Sequence, residues 1–193
     1  MKPRFANAYV LNVMAEDRPG IVAAVSRAVC DAGGNIDACS QTVLSGYFTL
    51  IMVVSFPDAL PADAFVASLT GDGRDGGLQV QIKPFRPQAG EEDDSDNFVV
   101  TCSGPDTPGV IHRFSALLAD KGINIVDLYG ELSDEKFVLI SQVQIPRRWD
   151  LAMLQADLEA LGAEQGYDVR LQHENIFIAT NQLRLGRHAE SKP

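Results

Sequence analysis

Histidine is scarce in this chain: His112, His173 and His188 stand far apart, with no i,i+4 pairing and no neighbouring cysteine. A bound metal needs several converging donors, so no metal site is expected. The three cysteines, Cys30, Cys39 and Cys102, lie in apolar patterns without CxxC spacing. They are expected as small buried hydrophobes in a reducing compartment, not as a disulfide framework. Neither a GxSxG nucleophile motif nor a phosphate-cradling GK[ST] occurs, and the acids show no clear pairing. No catalytic residue and no cofactor are therefore expected, and the reading is non-enzymatic. Basic residues are in deficit: the net charge is −10 and the pI about 4.6. Such a surface repels phosphate backbones, which disfavours direct binding to nucleic acid. No apolar run approaches the roughly 18 residues of a membrane span. Met1-Lys2-Pro3-Arg4 is not followed by a signal-peptide core either. A cytoplasmic protein with no membrane contact is the expectation.

What the chain does have is a repeat. Asp17-Arg18-Pro19-Gly20-Ile21 is a tight turn between an apolar run and a helical pattern, and it returns as Asp106-Thr107-Pro108-Gly109-Val110. The shift is 89 residues (108 − 19), and Asn35/Asn124, Phe48/Phe137 and Pro57/Pro146 keep it. Residues 8–57 against 97–146 show about fourteen identities without a gap. Internal repetition of this kind means two copies of one small domain. An apolar content of 46% is enough for two small cores.

Each copy reads as β-α-β-β-α-β. Ala8–Met14 is a β-rich run ended by the turn. Ile21, Ala24, Val25, Ala28, Val29 and Ala32 then mark one helix face, which Gly33-Gly34 stops. Asn35–Leu44 and Tyr47–Phe56 flank Ser45-Gly46 at hairpin spacing, with Phe48, Leu50, Met52, Val54 and Phe56 on one side. A helix near Pro61–Leu69 and a strand at Leu78–Phe85 complete the unit. The second copy repeats this with Val110, Phe114, Leu117 and Leu118 inward on its first helix. Strands follow at Asn124–Leu132 and Lys136–Ile145, then a helical stripe of Leu151, Leu154, Leu158 and Leu161. Its last strand is expected to start at Tyr167 and continue through Ile178. The fold class is α+β, two ferredoxin-like βαββαβ domains in tandem. The division is 5–86, an acidic linker 87–96 that buries too little to order itself, 97–182, and a C-terminal tail 183–193. Gly71-Asp72-Gly73-Arg74-Asp75-Gly76 matches GxGxxG, but it follows a helix and precedes a strand, the reverse of a dinucleotide loop. It is read as a connector.

The repeated turns are the candidate site. A helix N-terminus presents unpaired N–H groups and partial positive charge, which suits a carboxylate. Gly20 and Gly109 let the backbone come close to a ligand. Asp17 or Asp106 suits an ammonium group, and Asn35 or Asn124 offers a donor and an acceptor from a neighbouring domain. Carboxylate plus ammonium describes a free amino acid. The alternative is that Asp and Pro make only a turn, and Asn only a strand start.

On these residues the chain resembles the ACT-domain family, small βαββαβ regulatory modules that bind amino acids between paired domains. The resemblance covers residues 7–86 and 97–180, and it is nearest to the tandem glycine cleavage system transcriptional repressor group. Leu171–Phe177 also resembles that group's last strand. It implies ligand contacts at Asp17, Arg18, Pro19, Gly20, Ile21 and Asn35, and at Asp106, Thr107, Pro108, Gly109, Val110 and Asn124. The copies differ at Arg18/Thr107 and Gly34/Ile123, which implies sites that differ in ligand or affinity, or one that is vestigial. The implied partners are a small amino acid such as glycine and a DNA-binding regulatory protein, with the chain a homodimer. A ligand-independent interaction module, or a regulatory subunit of an amino-acid metabolic enzyme, stays open as the alternative.

Overall fold

A computed structural model of the chain describes residues 2–70, 77–87, 94–133 and 136–185. The GxGxxG-like segment at 71–76, the turn residues Asp134 and Glu135, His188 and the stretch after Leu185 lie outside the described residues. The chain divides into two compact units, Met1–Ala89 and Gly90–Pro193. The first contains β1 (Asn7–Glu16), α1 (Ile21–Asp31), β2 (Asn35–Leu44), β3 (Tyr47–Phe56), α2 (Ala62–Thr70) and β4 (Gln79–Pro84). The second contains β5 (Ser95–Pro105), α3 (Val110–Asp120), β6 (Asn124–Ser133), β7 (Lys136–Pro146), α4 (Leu151–Ala163), β8 (Asp168–His173) and α5 (Glu174–Leu185). Both sheets are antiparallel with equivalent orders, β2-β3-β1-β4 and β6-β7-β5-β8. The 89-residue register extends to the last strands. Ile21/Val110, Asn35/Asn124, Tyr47/Lys136, Ala62/Leu151 and Gln79/Asp168 each open matching elements. The fold is two ferredoxin-like domains in tandem.

Period-2 burial builds each sheet's inner face. Phe48, Leu50, Met52, Val54 and Phe56 are all buried and meet Leu11 and Val13 of β1 and Ile21, Val25 and Val29 of α1. Each such side chain contributes roughly 1.5–3 kcal/mol of transfer free energy. The α1 seam is narrower than its alanine pattern suggests. Ala24 and Ala32 are exposed, because the three large side chains already fill the contact and a methyl adds little reach. In the second core Phe114 and Leu118 of α3 pack with Leu154 and Leu158 of α4. Leu151, expected on that stripe, is 43% exposed at the first helical position, before α4 has settled onto the sheet.

Three further expectations are corrected. Cys30 and Cys39 are exposed and only Cys102 is buried. Cys30 lies one residue past the buried Val29, off the α1 seam, and Cys39 lies on edge strand β2. Ser95 and Asp96, expected in the linker, already belong to β5. Arg147 holds them there: its N–H donates to the Asp94 carbonyl, and its guanidinium reaches both Asp94 and the two Asp96 oxygens. The last strand ends at His173, and Glu174 opens a helix that runs to Leu185, inside the expected tail. Gln142 Nε2 donates to Glu174 Oε1 at 2.6 Å where the chain turns over the sheet. Phe177 and Ile178 then line a cleft with Val99 and Ile140 on the outer face. Val99 is 4% exposed there. Burial of that face explains why an Ile-Phe-Ile run of high β propensity is helical: tertiary packing overrides propensity.

Candidate ligand-binding turns

In the first domain β1 ends at Glu16 and α1 begins at Ile21, so four exposed residues, Asp17, Arg18, Pro19 and Gly20, make the turn. Gly20 is the N-cap at φ 96°, and Gly109 repeats it at φ 89°. L-residues rarely adopt this region. A Cβ at either glycine would meet nothing within 4 Å. The demand for glycine is therefore conformational, and the space in front is open. Neither helix has a side-chain cap. By contrast, the α4 N-cap Asp150 accepts from the N–H groups of Ala152 and Met153 at 2.8 and 3.1 Å. The first-turn amides of α1 are thus left to solvent or a ligand, whereas in α3 the Val110 N–H donates to the Thr107 carbonyl at 3.4 Å. The side chains of Ile21 and Val110 are buried in their cores, so only their backbones face the turn. The N–H of Asp17 donates to the Gly46 carbonyl at 2.8 Å, which ties the turn to the β2–β3 hairpin tip.

Asn35 is not at this place. It pairs with Ser55, whereas Glu16 pairs with Tyr47. Eight residues along β3 separate them, roughly 26 Å at strand rise. Asp17 and Asn35 of one domain therefore sit at opposite ends of its sheet, and Asp106 and Asn124 do likewise. Asn35 is half-buried, and its Nδ2 donates to Asp37 Oδ1 at 2.8 Å, beside the Arg4 N–H at 2.9 Å. Asp37 Oδ2 is buried without a hydrogen-bond partner. Burial pushes the Asp37 carboxyl up, but the dipole of the Ser55 hydroxyl and donation from the Arg4 N–H and Asn35 outweigh it, and its pKa lies below the usual value. Asn124 is exposed, and its Nδ2 donates to Gln144 Oε1 at 3.3 Å.

The two turns differ for a reason the 89-residue register reveals. In the second, the Tyr167 hydroxyl bonds to the Pro105 carbonyl and lies 3.0 Å from Thr107 Oγ1. The matching residues of the first domain are Leu78 and Arg18 (167 − 89 and 107 − 89), which cannot make this brace. Tyr167 is a residue that the turn motif does not contain. The signal for it was the repeat itself, carried past Pro146. The Gly34/Ile123 difference is a packing exchange: a Cβ on Gly34 would come within 2.4 Å of the Phe56 ring, and Phe56 is matched by Ile145. Among the described residues no group of three or more His, Cys, Asp or Glu is placed to hold a metal. Nor is any described helix long and apolar enough to cross a membrane.

A family model described as ACT domain matches residues 8–83 and 96–172. A UPF0237 protein of Methanococcus maripaludis is 37% identical over 83 residues, 42% of this chain and 92% of its own. One from Streptococcus mutans is 50% identical over 85 residues, 44% of this chain and 97% of its own. Among solved structures, an unknown protein from Galdieria sulphuraria superposes with a TM-score of 0.71 at 25% identity, covering 86% of this chain and 98% of that one. A candidate glycine cleavage system transcriptional repressor superposes at 0.65 and 22% identity, covering 86% and 96%.

Proposed function

The chain belongs to the ACT domain family, with UPF0237 proteins among its relatives, and on that premise we propose that it is a non-enzymatic sensor of a small amino acid. The observation that carries the reading is the bare α1 N-terminus held open by Gly20 between exposed Asp17 and Arg18. A zwitterion matches it. The carboxylate meets the first-turn N–H groups and the Arg18 guanidinium, and the ammonium meets Asp17. Asn35 lies too far away to join the turn of its own domain. It serves the turn of a domain in a second copy of a homodimer. Glycine or a similar small amino acid is the ligand that the resemblance to the repressor group favours. Binding shifts an arrangement of domains that a protein partner, a DNA-binding regulator, recognises. The charge of −10 supports action through such a partner and not through DNA contact.

A thermal-shift screen of the full chain against the twenty amino acids, confirmed by calorimetry, tests this reading. At about a hundred times Kd a ligand stabilises by roughly 2.7 kcal/mol. Asp17→Asn and Gly20→Ala should weaken a selective hit, and Asp106→Asn should weaken occupancy of the second turn. Silence across the panel, or an affinity untouched by all three substitutions, sinks the assignment.

A further inference from the structure

The C-terminal end of α1 forms a corner with β3 and the loop that leads into α2, at the far end of the helix from the Asp17–Gly20 turn. Its second-domain equivalent is filled from within. There the Trp149 indole Nε1 donates to the Lys121 carbonyl at the end of α3 at 2.9 Å. Lys121 Nζ stands 4.9 Å from the centre of that ring and 2.6 Å from Asp157. The Arg148 guanidinium lies beside the end of α3, 3.1 Å from where a Cβ on Gly122 would stand, and Arg147 precedes it in the chain. In the 89-residue register each of these groups has been removed or reversed. Trp149 is matched by Leu60, Lys121 by Ala32, Arg148 by Ala59, and Arg147 by the acidic Asp58.

What remains is a cavity of about 490 Å³ between Ala32, Gly33, Phe56, Asp58 and Leu60. That volume is within the roughly 300–1,000 Å³ usual for small-molecule sites. Phe56 packs edge-to-face on Phe65 beneath it at 5.9 Å. Leu60 brings no donor for the Ala32 carbonyl, the counterpart of the Lys121 carbonyl that the indole occupies. The rim carries the Asp58 carboxylate and the partial negative charge of the α1 C-terminus. It holds no cation of its own at the positions where the second domain has three.

We propose that this corner of the first domain is a separate binding site for a small aromatic cation whose ring carries an N–H donor. The second domain shows the geometry that such a ligand adopts. Its ring lies in the place of the Trp149 indole, its N–H donates to the Ala32 carbonyl, and its positive charge faces Asp58 and the aromatic floor. The ligand supplies from outside what the second domain carries covalently.

Tryptamine, titrated into the full-length 15N-labelled chain, tests the proposal. Saturable shifts are expected at the amides of Gly33, Asp58 and Phe65, with the Trp149 indole resonance unmoved. 1-Methyltryptamine, which lacks the ring donor, should bind about fivefold more weakly, the loss of one hydrogen bond. Indole-3-propionate, with the charge reversed, should bind about tenfold more weakly or not at all. Leu60→Trp should fill the corner and abolish binding. Ala32→Lys, at an exposed position, should do so independently. Absence of saturation, shifts centred elsewhere, or binding that survives both substitutions overturns the proposal.

Discussion

The ring of Tyr167 stands where a side chain on Gly104 would have to go: a Cβ built there would lie 2.6 Å from it. In the first domain the same pair is Ala15 and Leu78 (104 − 89 and 167 − 89). A larger residue just before the last strand is compensated by a smaller one on the first strand, and the ring gained carries a hydroxyl that braces the adjacent turn.

Gly104→Ala should therefore destabilise the second domain by about 1–3 kcal/mol through overpacking. Adding Tyr167→Leu, which recreates the Ala15–Leu78 pair, should recover a large part of that loss. Urea unfolding followed by Trp149 fluorescence measures the cycle. Strictly additive effects of the two substitutions would show that the residues do not compensate.

Gly20→Ala and Gly109→Ala test a different cause. Neither Cβ meets an atom, but both positions have positive φ. Each should cost roughly 1–2 kcal/mol from backbone strain, read as a lowered Tm without ligand. A cost at one turn only would mean that the two turns do not share a backbone requirement.

The Asp37 carboxyl makes part of the first domain's stability depend on pH. Its pKa is lower in the folded protein, so the ionised form is favoured by folding. That contribution is present above the unfolded value of about 3.9 and is lost as pH falls through the folded value. Asp37→Asn should be less stable than the parent at pH 7, and the gap should close below about pH 4. A gap that does not change between pH 7 and pH 3 argues against it.

Thiol labelling separates the cysteines. Cys30 and Cys39 are exposed and should react with a disulfide reagent in the native state. Cys102 should not react until the chain unfolds. Burial, with the nearby Asp168 charge, pushes its thiol up to about 12, and the thiolate is the reacting form. Prompt modification of all three would contradict the placement of β5 in the core.

Much of this protein is written in local patterns. The alternation Phe48-Leu50-Met52-Val54-Phe56 determined which side of β3 is buried, because a strand's period of two admits no other answer. The turn residues and the 89-residue register determined two copies of one fold, since Gly20 and Gly109 serve a backbone angle that depends on no distant contact. Tertiary structure decided what depends on partners far away in the chain. Ile176-Phe177-Ile178 has the composition of a strand and is a helix because the outer face of the second sheet was there to be covered. Cys30 follows a buried valine and is exposed because the α1 seam is only as wide as its contact with the sheet. Asn35 belongs to the same motif as Asp17, yet β2 runs parallel to β1 and starts at the opposite end of the sheet from the turn. That separation follows from strand order and register, which side-chain periodicity does not encode.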